Sequence, residues 1–248
     1  MTKTVTVGLD PARIAGLRGL VGEITNKPLD ASPWLAPALL FSEPASQIGI
    51  EMPTPDANEI LVHDYQSITH HSQLPAGVDL LAEMRRNEKG PTTEIDISIT
   101  DGGAPGAALK IALRRVPRQD FAALAPTRFT EAQISGLVSS SAELAISQAQ
   151  IDAYVALSGD ENPIHSNPAE ARSLGLAAPI VPGLLLAAAV QPFVPGLLFA
   201  MKCRFMAPLC ADEPFKIAVL PRAPGRVRAL IYGRDRRGLA IADLQGKI

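Results

Sequence analysis

The sequence is poor in cysteine and in net charge, and each scarcity excludes a class of protein. Two cysteines among 248 residues are too few for a disulfide-stapled secreted domain, and they belong to no Cys/His group with zinc-ligand spacing. A formal net charge of -2, with both signs interspersed, lacks the basic footprint of a nucleic-acid or anionic-membrane binder. We therefore expect no metal site, no nucleic-acid partner and a reducing compartment.

Apolar residues are abundant enough for a buried core, and one long run of the chain has no charge. Hydrophobic residues make up 47% of the chain, which excludes a disordered protein. Residues 173–201 carry no charged side chain, and a run of that length is able to span a bilayer. Its prolines would interrupt a membrane helix, so we expect instead a buried helix of about ten residues flanked by loops. These prolines are Pro179, Pro182, Pro192 and Pro195.

Charged residues near the N-terminus interrupt each short apolar run before a secretory leader develops. They are Lys3, Asp10, Arg13 and Arg18. Together with the low cysteine content, this pattern predicts a cytoplasmic protein that has no membrane partner.

Short apolar segments with β-like alternation occur in a similar order in the two halves of the chain. In the second half they follow a helical region and cover residues 198–206, 215–220, 227–232 and 239–244. In the first half they cover residues 60–69, 78–84, 93–100 and 109–116. The intervening stretch has weak periodicity, as linkers do. We predict two repeats, residues 1–117 and 133–248, joined by a linker at 118–132.

The loop at residues 158–168 holds the densest group of reactive side chains in the sequence. A carboxylate at Asp160 accepts protons, an imidazole at His165 titrates near neutral pH, and Asn162 is able to orient either one. An Asp/His pair that shares one water activates it for attack on a β-carbon and returns a proton to the α-carbon. Such polar runs also cap turns, and a lone histidine often satisfies a local hydrogen bond. The residues alone leave these two interpretations equal.

Addition of water to a conjugated double bond also needs a donor for the carbonyl oxygen. Gly183 begins the predicted buried helix, where the first backbone N–H groups have no intrahelical partner and the helix dipole is positive. Loss of one such donor typically costs about 3 to 4 kcal/mol of transition-state stabilisation. We therefore predict that Gly183 contributes the donor.

The run Ser-Gly-Asp-Glu-Asn-Pro-Ile-His at 158–165, followed by Ala171, resembles the signature of the MaoC-like, or (R)-specific, enoyl-CoA hydratases and dehydratases. The resemblance continues through Pro-Ile-Val-Pro-Gly-Leu-Leu-Leu at 179–186 and through Arg-Phe-Met-Ala-Pro at 204–208. It covers the chain from about Gln133 onward. It implies an α+β protein with a hot-dog fold, in which a curved antiparallel β-sheet wraps around a central helix.

The strand order of the first half resembles a second, degenerate repeat, as in the double hot-dog members of the family. This half has no Asp-x-Asn-Pro-x-His run, so we expect no site of its own. His63, His70 and His71 lack an Asp-Asn partner at suitable spacing, and we expect them to lie on the surface or at strand edges. By resemblance, residues 35–41 line a wider acyl pocket.

The resemblance also assigns the site. It implies that Asp160 and His165 hold the catalytic water, with Gly183 as the oxyanion donor and Asn162 in support. We expect substrate contacts from Pro182, Leu184 and Gln191. Two of these depart from the family pattern, because relatives often have histidine before the helix glycine and a small hydroxyl residue on the helix. Pro182 and Gln191 stand at those places.

The predicted activity is reversible hydration of trans-2-enoyl thioesters to (R)-3-hydroxyacyl thioesters, a carbon–oxygen lyase reaction of fatty acid metabolism. No motif for a metal, flavin or nicotinamide occurs, so we expect no cofactor beyond coenzyme A or acyl carrier protein as the carrier of the acyl group. Two alternatives stay open: a hot-dog thioester hydrolase, and a non-catalytic subunit that binds acyl thioesters. Two fused repeats allow either a monomer or a homodimer.

Overall fold

The structure is a computed structural model that describes residues 2–29, 53–103, 105–124 and 127–247. Within these ranges there are ten β-strands. They are β1 Thr2–Gly8, β2 Glu59–His70, β3 Asp79–Lys89, β4 Thr92–Thr100, β5 Pro105–Pro117, β6 Ser139–Ser140, β7 Leu197–Phe205, β8 Phe215–Ala223, β9 Arg226–Gly233 and β10 Gly238–Lys247. The α-helices of the described residues are α1 Pro11–Thr25, α2 Gln148–Ser158, α3 Pro168–Ser173 and α4 Gly183–Ala188. Each of the eight β-segments predicted from the sequence is confirmed as a strand.

All ten strands form one antiparallel sheet in the order β1-β3-β4-β5-β2-β7-β10-β9-β8-β6. Each half of the chain contributes five strands, and their order within the first half is repeated in mirror image in the second. The halves join where β2 pairs with β7, from Tyr65 opposite Arg204 to Thr69 opposite Ala200. This order confirms the internal repeat of strands, whereas the boundaries at 117 and 133 stay a prediction.

Helix α4 lies at the centre of the second half, and Leu184 to Ala188 are all buried. A helix that is apolar on every face requires cover on every face, and residues from both halves of the sheet share its core cluster. The helix has six residues where the sequence predicted about ten. It ends early because Pro192 has no N–H for the carbonyl of residue 188 and its ring would clash there.

The uncharged stretch at 173–201 therefore folds as short elements: the end of α3, α4, a 3-10 turn at Gln191–Phe193 and the start of β7. Within the described ranges, no helix combines the length and the hydropathy needed to cross a bilayer. The predicted acyl-pocket segment at 35–41 lies outside the described residues.

Candidate active site

Helix α2 leads directly into the reactive loop. Ser147 and Gln150 form a reciprocal capping box at its start, which satisfies free N–H groups of the first turn. Gly159 ends the helix with φ 75°, and its N–H donates to the carbonyl of Val155. Only a residue tolerant of the left-handed region turns the chain this sharply. The turn places Asp160 immediately beyond the helix.

Two side-chain caps then fix the loop between the predicted catalytic residues. The N–H of Asn162 donates to Asp160 Oδ1 at 3.1 Å, and the N–H of Ile164 donates to Asn162 Oδ1 at 3.2 Å. Asn162 is thereby the N-cap of a 3-10 turn at Pro163–His165. The Asn162 amide oxygen accepts a hydrogen bond from the backbone of this turn. Asn162 therefore orients His165 through the backbone that joins them.

The residue His165 is buried, with 7% of its surface exposed, and the tautomer of its imidazole follows from its partners. Nδ1 lies 2.8 Å from the carbonyl oxygen of Ile180, and a carbonyl only accepts, so Nδ1 carries the proton. Nε2 lies 3.4 Å from Asp160 Oδ2. The structure thus brings the two predicted catalytic side chains together.

The carboxyl group of Asp160 is held ionised. Burial raises its pKa, but attraction to His165, which is strongest when both ring nitrogens carry a proton, and the Asn162 N–H outweigh burial and hold that pKa below its ordinary value. The result is a carboxylate beside an imidazole, two groups that often serve in general acid–base catalysis.

A cavity of about 420 Å³ contains this pair and most of the other predicted site residues. Its wall also includes Asn162, Pro182, Gly183 and Leu184. Gln191 is not part of the wall: it lies in the 3-10 turn after α4, 6% exposed. No partner for its buried Oε1 occurs among the described residues, and its predicted contact with substrate stays a prediction.

Gly183 is the first residue of α4. A Cβ added to it would lie 3.0 Å from Cε1 of Phe205, closer than side-chain carbons normally approach. The absence of a side chain therefore lets the helix start contact the Phe205 ring while its backbone faces the cavity.

The first half of the chain contributes residues to the same cavity that the sequence did not predict. His63 and Asp64 on β2 and Arg114 on β5 all line it. The expectation of a surface or strand-edge place is wrong for His63, because β2 is a central strand of the sheet. His70 is the last residue of β2, and His71 is exposed in the turn that follows.

Strand β2 has a β-bulge where it lines the cavity. His63 pairs with Leu113 and Tyr65 with Ala112, so Asp64 is the extra residue. A bulge interrupts the alternation of side chains across the sheet. Arg114 fixes the bulge, because its Nε and a terminal nitrogen donate to the Asp64 carboxylate at 2.5 and 3.1 Å. No local sequence signal predicts a bulge of this kind.

The rest of the cavity wall is mostly apolar, including side chains from the predicted linker. Phe121 and Leu124 of that segment line it together with Ile60, Leu61, Val62, Leu113, Ile164 and Ile180. Across the described ranges, no group of three His, Cys, Asp or Glu residues is arranged to hold a metal ion. The arrangement suits an apolar ligand whose one polar group meets Asp160 and His165.

Comparisons with known proteins agree with this architecture. The family model of the MaoC like domain matches residues 130–218, and no curated protein matches the chain by sequence. The structure of HtdX from Mycobacterium tuberculosis is 20% identical, with 98% of this chain and 100% of that chain covered and a TM-score of 0.71.

Two further solved structures show the breadth of this likeness. A MaoC-like dehydratase from Phytophthora capsici is 19% identical, with 99% of this chain and 94% of that chain covered and a TM-score of 0.72. An acyl-ACP thioesterase from Bacteroides thetaiotaomicron is 9% identical, with 98% and 97% covered and a TM-score of 0.61. At these identities the likeness establishes the fold. The chain has a double hot-dog fold, and its residues 130–218 are similar to the MaoC like domain.

Proposed function

We propose that the chain hydrates trans-2-enoyl thioesters to (R)-3-hydroxyacyl thioesters and catalyses the reverse dehydration, with Asp160 and His165 as the catalytic pair. The observation that carries the proposal is the 3.4 Å approach of His165 Nε2 to Asp160 Oδ2 in a mostly apolar cavity. The MaoC-like domain at 130–218 supports the same class of reaction. The (R) configuration is the one that the family resemblance implies.

The pair suits a water molecule because both members are acceptors. In the form of His165 that carries its one ring proton on Nδ1, Nε2 presents a lone pair beside the Asp160 carboxylate. A water that donates one hydrogen to each acceptor keeps a lone pair on oxygen for attack on the β-carbon. Its hydroxyl joins the β-carbon, one proton passes to the pair, and the pair returns one proton to the α-carbon. The sum is one water added across the double bond.

Negative charge builds on the thioester oxygen during this attack. We assign the N–H of Gly183 as its donor, because the first N–H of a helix has no intrahelical acceptor and the residue lines the cavity. One such donor is typically worth about 3 to 4 kcal/mol. Since α4 has six residues, the assignment depends on the N–H itself and not on a helix dipole.

The acyl group in this proposal lies against the apolar wall, and its carrier is coenzyme A or acyl carrier protein. The apolar side chains of Leu61, Leu113 and Phe121 offer contact with hydrocarbon, which is favourable because it removes apolar surface from water. The proposed steps use only side-chain and backbone groups of this chain, without a metal, flavin or nicotinamide.

Steady-state hydration of crotonyl-CoA and longer enoyl-CoAs tests the proposal. Asp160→Asn and His165→Gln should each lower kcat by at least about 100-fold, because each removes a proton-transfer group. Asp152→Asn is the matched control, since Asp152 is an exposed carboxylate on α2 outside the cavity wall. A (R)-specific hydroxyacyl-CoA dehydrogenase, but not an (S)-specific one, should oxidise the product.

The other outcomes separate the remaining hypotheses. Release of free coenzyme A from saturated acyl-CoA would favour a thioester hydrolase. Binding of acyl-CoA without turnover by the purified chain would favour a binding subunit. Equal hydration rates for wild type and Asp160→Asn would refute the assignment of the catalytic pair.

A further inference from the structure

A row of contacts leads from the first half of the chain to the start of α4. The His63 imidazole on β2 packs against the ring of Phe205 at the end of β7, with 4.9 Å between centroids and a tilt of 59°. Phe205 in turn lies against Gly183, where a Cβ would be 3.0 to 3.2 Å from three of its ring carbons. All three residues line the cavity. The Phe205 ring therefore lies between His63 and Gly183, whose N–H is the proposed donor to the carbonyl.

The His63 ring is anchored by its own strand. Nε2 lies 3.1 Å from the carbonyl oxygen of Tyr65, and because the carbonyl accepts, Nε2 carries the proton. His63 directly precedes the bulge at Asp64, and the Asp64–Arg114 ion pair fixes that bulge. The ring therefore has a defined orientation against Phe205.

His63 is neutral near pH 7. Burial lowers its pKa to about 4, although the Tyr65 carbonyl and the charge of Asp160 act to raise it. His63 therefore contributes a packed, uncharged ring to this part of the cavity.

We propose that His63 is a positioning residue, which holds Phe205 against Gly183 and so fixes the backbone N–H that meets the thioester carbonyl. The role of that N–H rests on the proposed function, but the contacts from His63 to Gly183 do not. If the Phe205 ring were less tightly held, the first residue of α4 could shift relative to the thioester carbonyl. A misplacement of about 1 Å near reacting atoms is able to cost up to about 100-fold in rate.

Polarisation of a bound carbonyl tests this proposal without turnover. Butyryl-CoA labelled with carbon-13 at its carbonyl has no double bond to hydrate, and its carbonyl stretch is measurable by isotope-edited infrared spectroscopy on the full chain. The variants are His63→Ala, which removes the ring, and His63→Phe, which keeps a ring against Phe205. His71→Ala is the matched control, because His71 is exposed in the turn after the same strand.

Wild type should lower the carbonyl frequency, and His63→Ala should lose at least about half of that shift. The same variant should lower kcat for crotonyl-CoA about 10-fold with KM changed less than about threefold. His63→Phe should stay within about threefold of wild type, because ring packing is retained, and His71→Ala should match wild type. Where His63→Ala fails to fold, Phe205→Leu removes the same ring contact and should lose the same shift.

Equal carbonyl shifts in wild type and His63→Ala would overturn the positioning role, and so would a wild-type protein that leaves the carbonyl frequency unchanged. A shift that wild type shows and His63→Ala loses, in a protein that does not hydrate crotonyl-CoA, would keep the positioning role and refute the proposed function.

Discussion

Acidification is expected to destabilise the fold through His63. Its pKa lies at about 4 in the folded chain, against an ordinary value of 6.5, because burial disfavours the charged imidazole. Between these values the unfolded chain binds a proton that the folded chain does not, so stability falls as pH falls from about 6.5 to about 4. The linkage relation gives a loss of about 2 kcal/mol between pH 7 and pH 4.5 from this one group.

Urea unfolding followed by circular dichroism at several pH values measures this loss. Asp160, whose pKa is held low in the folded chain, also loses stabilising charge as pH falls, so the informative quantity is a difference between two proteins. His63→Phe keeps a ring but cannot titrate, and its unfolding free energy should fall by about 2 kcal/mol less than that of wild type over the same interval. His71→Phe, at an exposed position, should keep the wild-type pH dependence. Parallel curves for wild type and His63→Phe would refute the reasoning about burial of this imidazole.

Three substitutions test other contacts around the site. Gly183→Ala should lower kcat/KM for enoyl-CoA about 10-fold, because the added Cβ pushes on Phe205, whereas Gly19→Ala, in open space on α1, should leave it unchanged. Arg13→Ala should lower the unfolding free energy by about 1 to 2 kcal/mol in urea titrations, since its guanidinium donates to the Leu157 carbonyl at the end of α2. Asn162→Ala should cost about 1 kcal/mol by losing the cap of the 3-10 turn, and Asn162→Ser should recover most of it.

The shape of the loop from Gly159 to His165 was predictable because it is built from contacts between near neighbours, whereas its proposed role came from the family resemblance. Gly159, Asp160 and Asn162 each satisfy a backbone group within four residues, so short-range sequence chemistry determines the shape of the loop. The apposition of Asp160 and His165 follows from that shape. The same reasoning located the strands, because alternation of apolar residues is also a local signal.

Contributions from the first half were not predictable because they depend on register between distant strands. Asp64 is a bulge residue because it has no partner in the pairing of β2 with β5. The residue spacing within β2 does not reveal that bulge. Helix α1 was missed although a signal exists: Asp10 caps its start, Pro11 is its first residue, and Leu17, Val21 and Ile24 recur on its buried face. Gln191 was placed on a longer central helix, and Pro192 ends that helix before it.

Incorporation of oxygen from ¹⁸O-labelled water tests the central claim most directly. With crotonyl-CoA as substrate, the account predicts the label in the hydroxyl group at C3 of an intact thioester, and its loss in Asp160→Asn. Label in a free carboxylate, or no label in the wild-type product, would contradict the account.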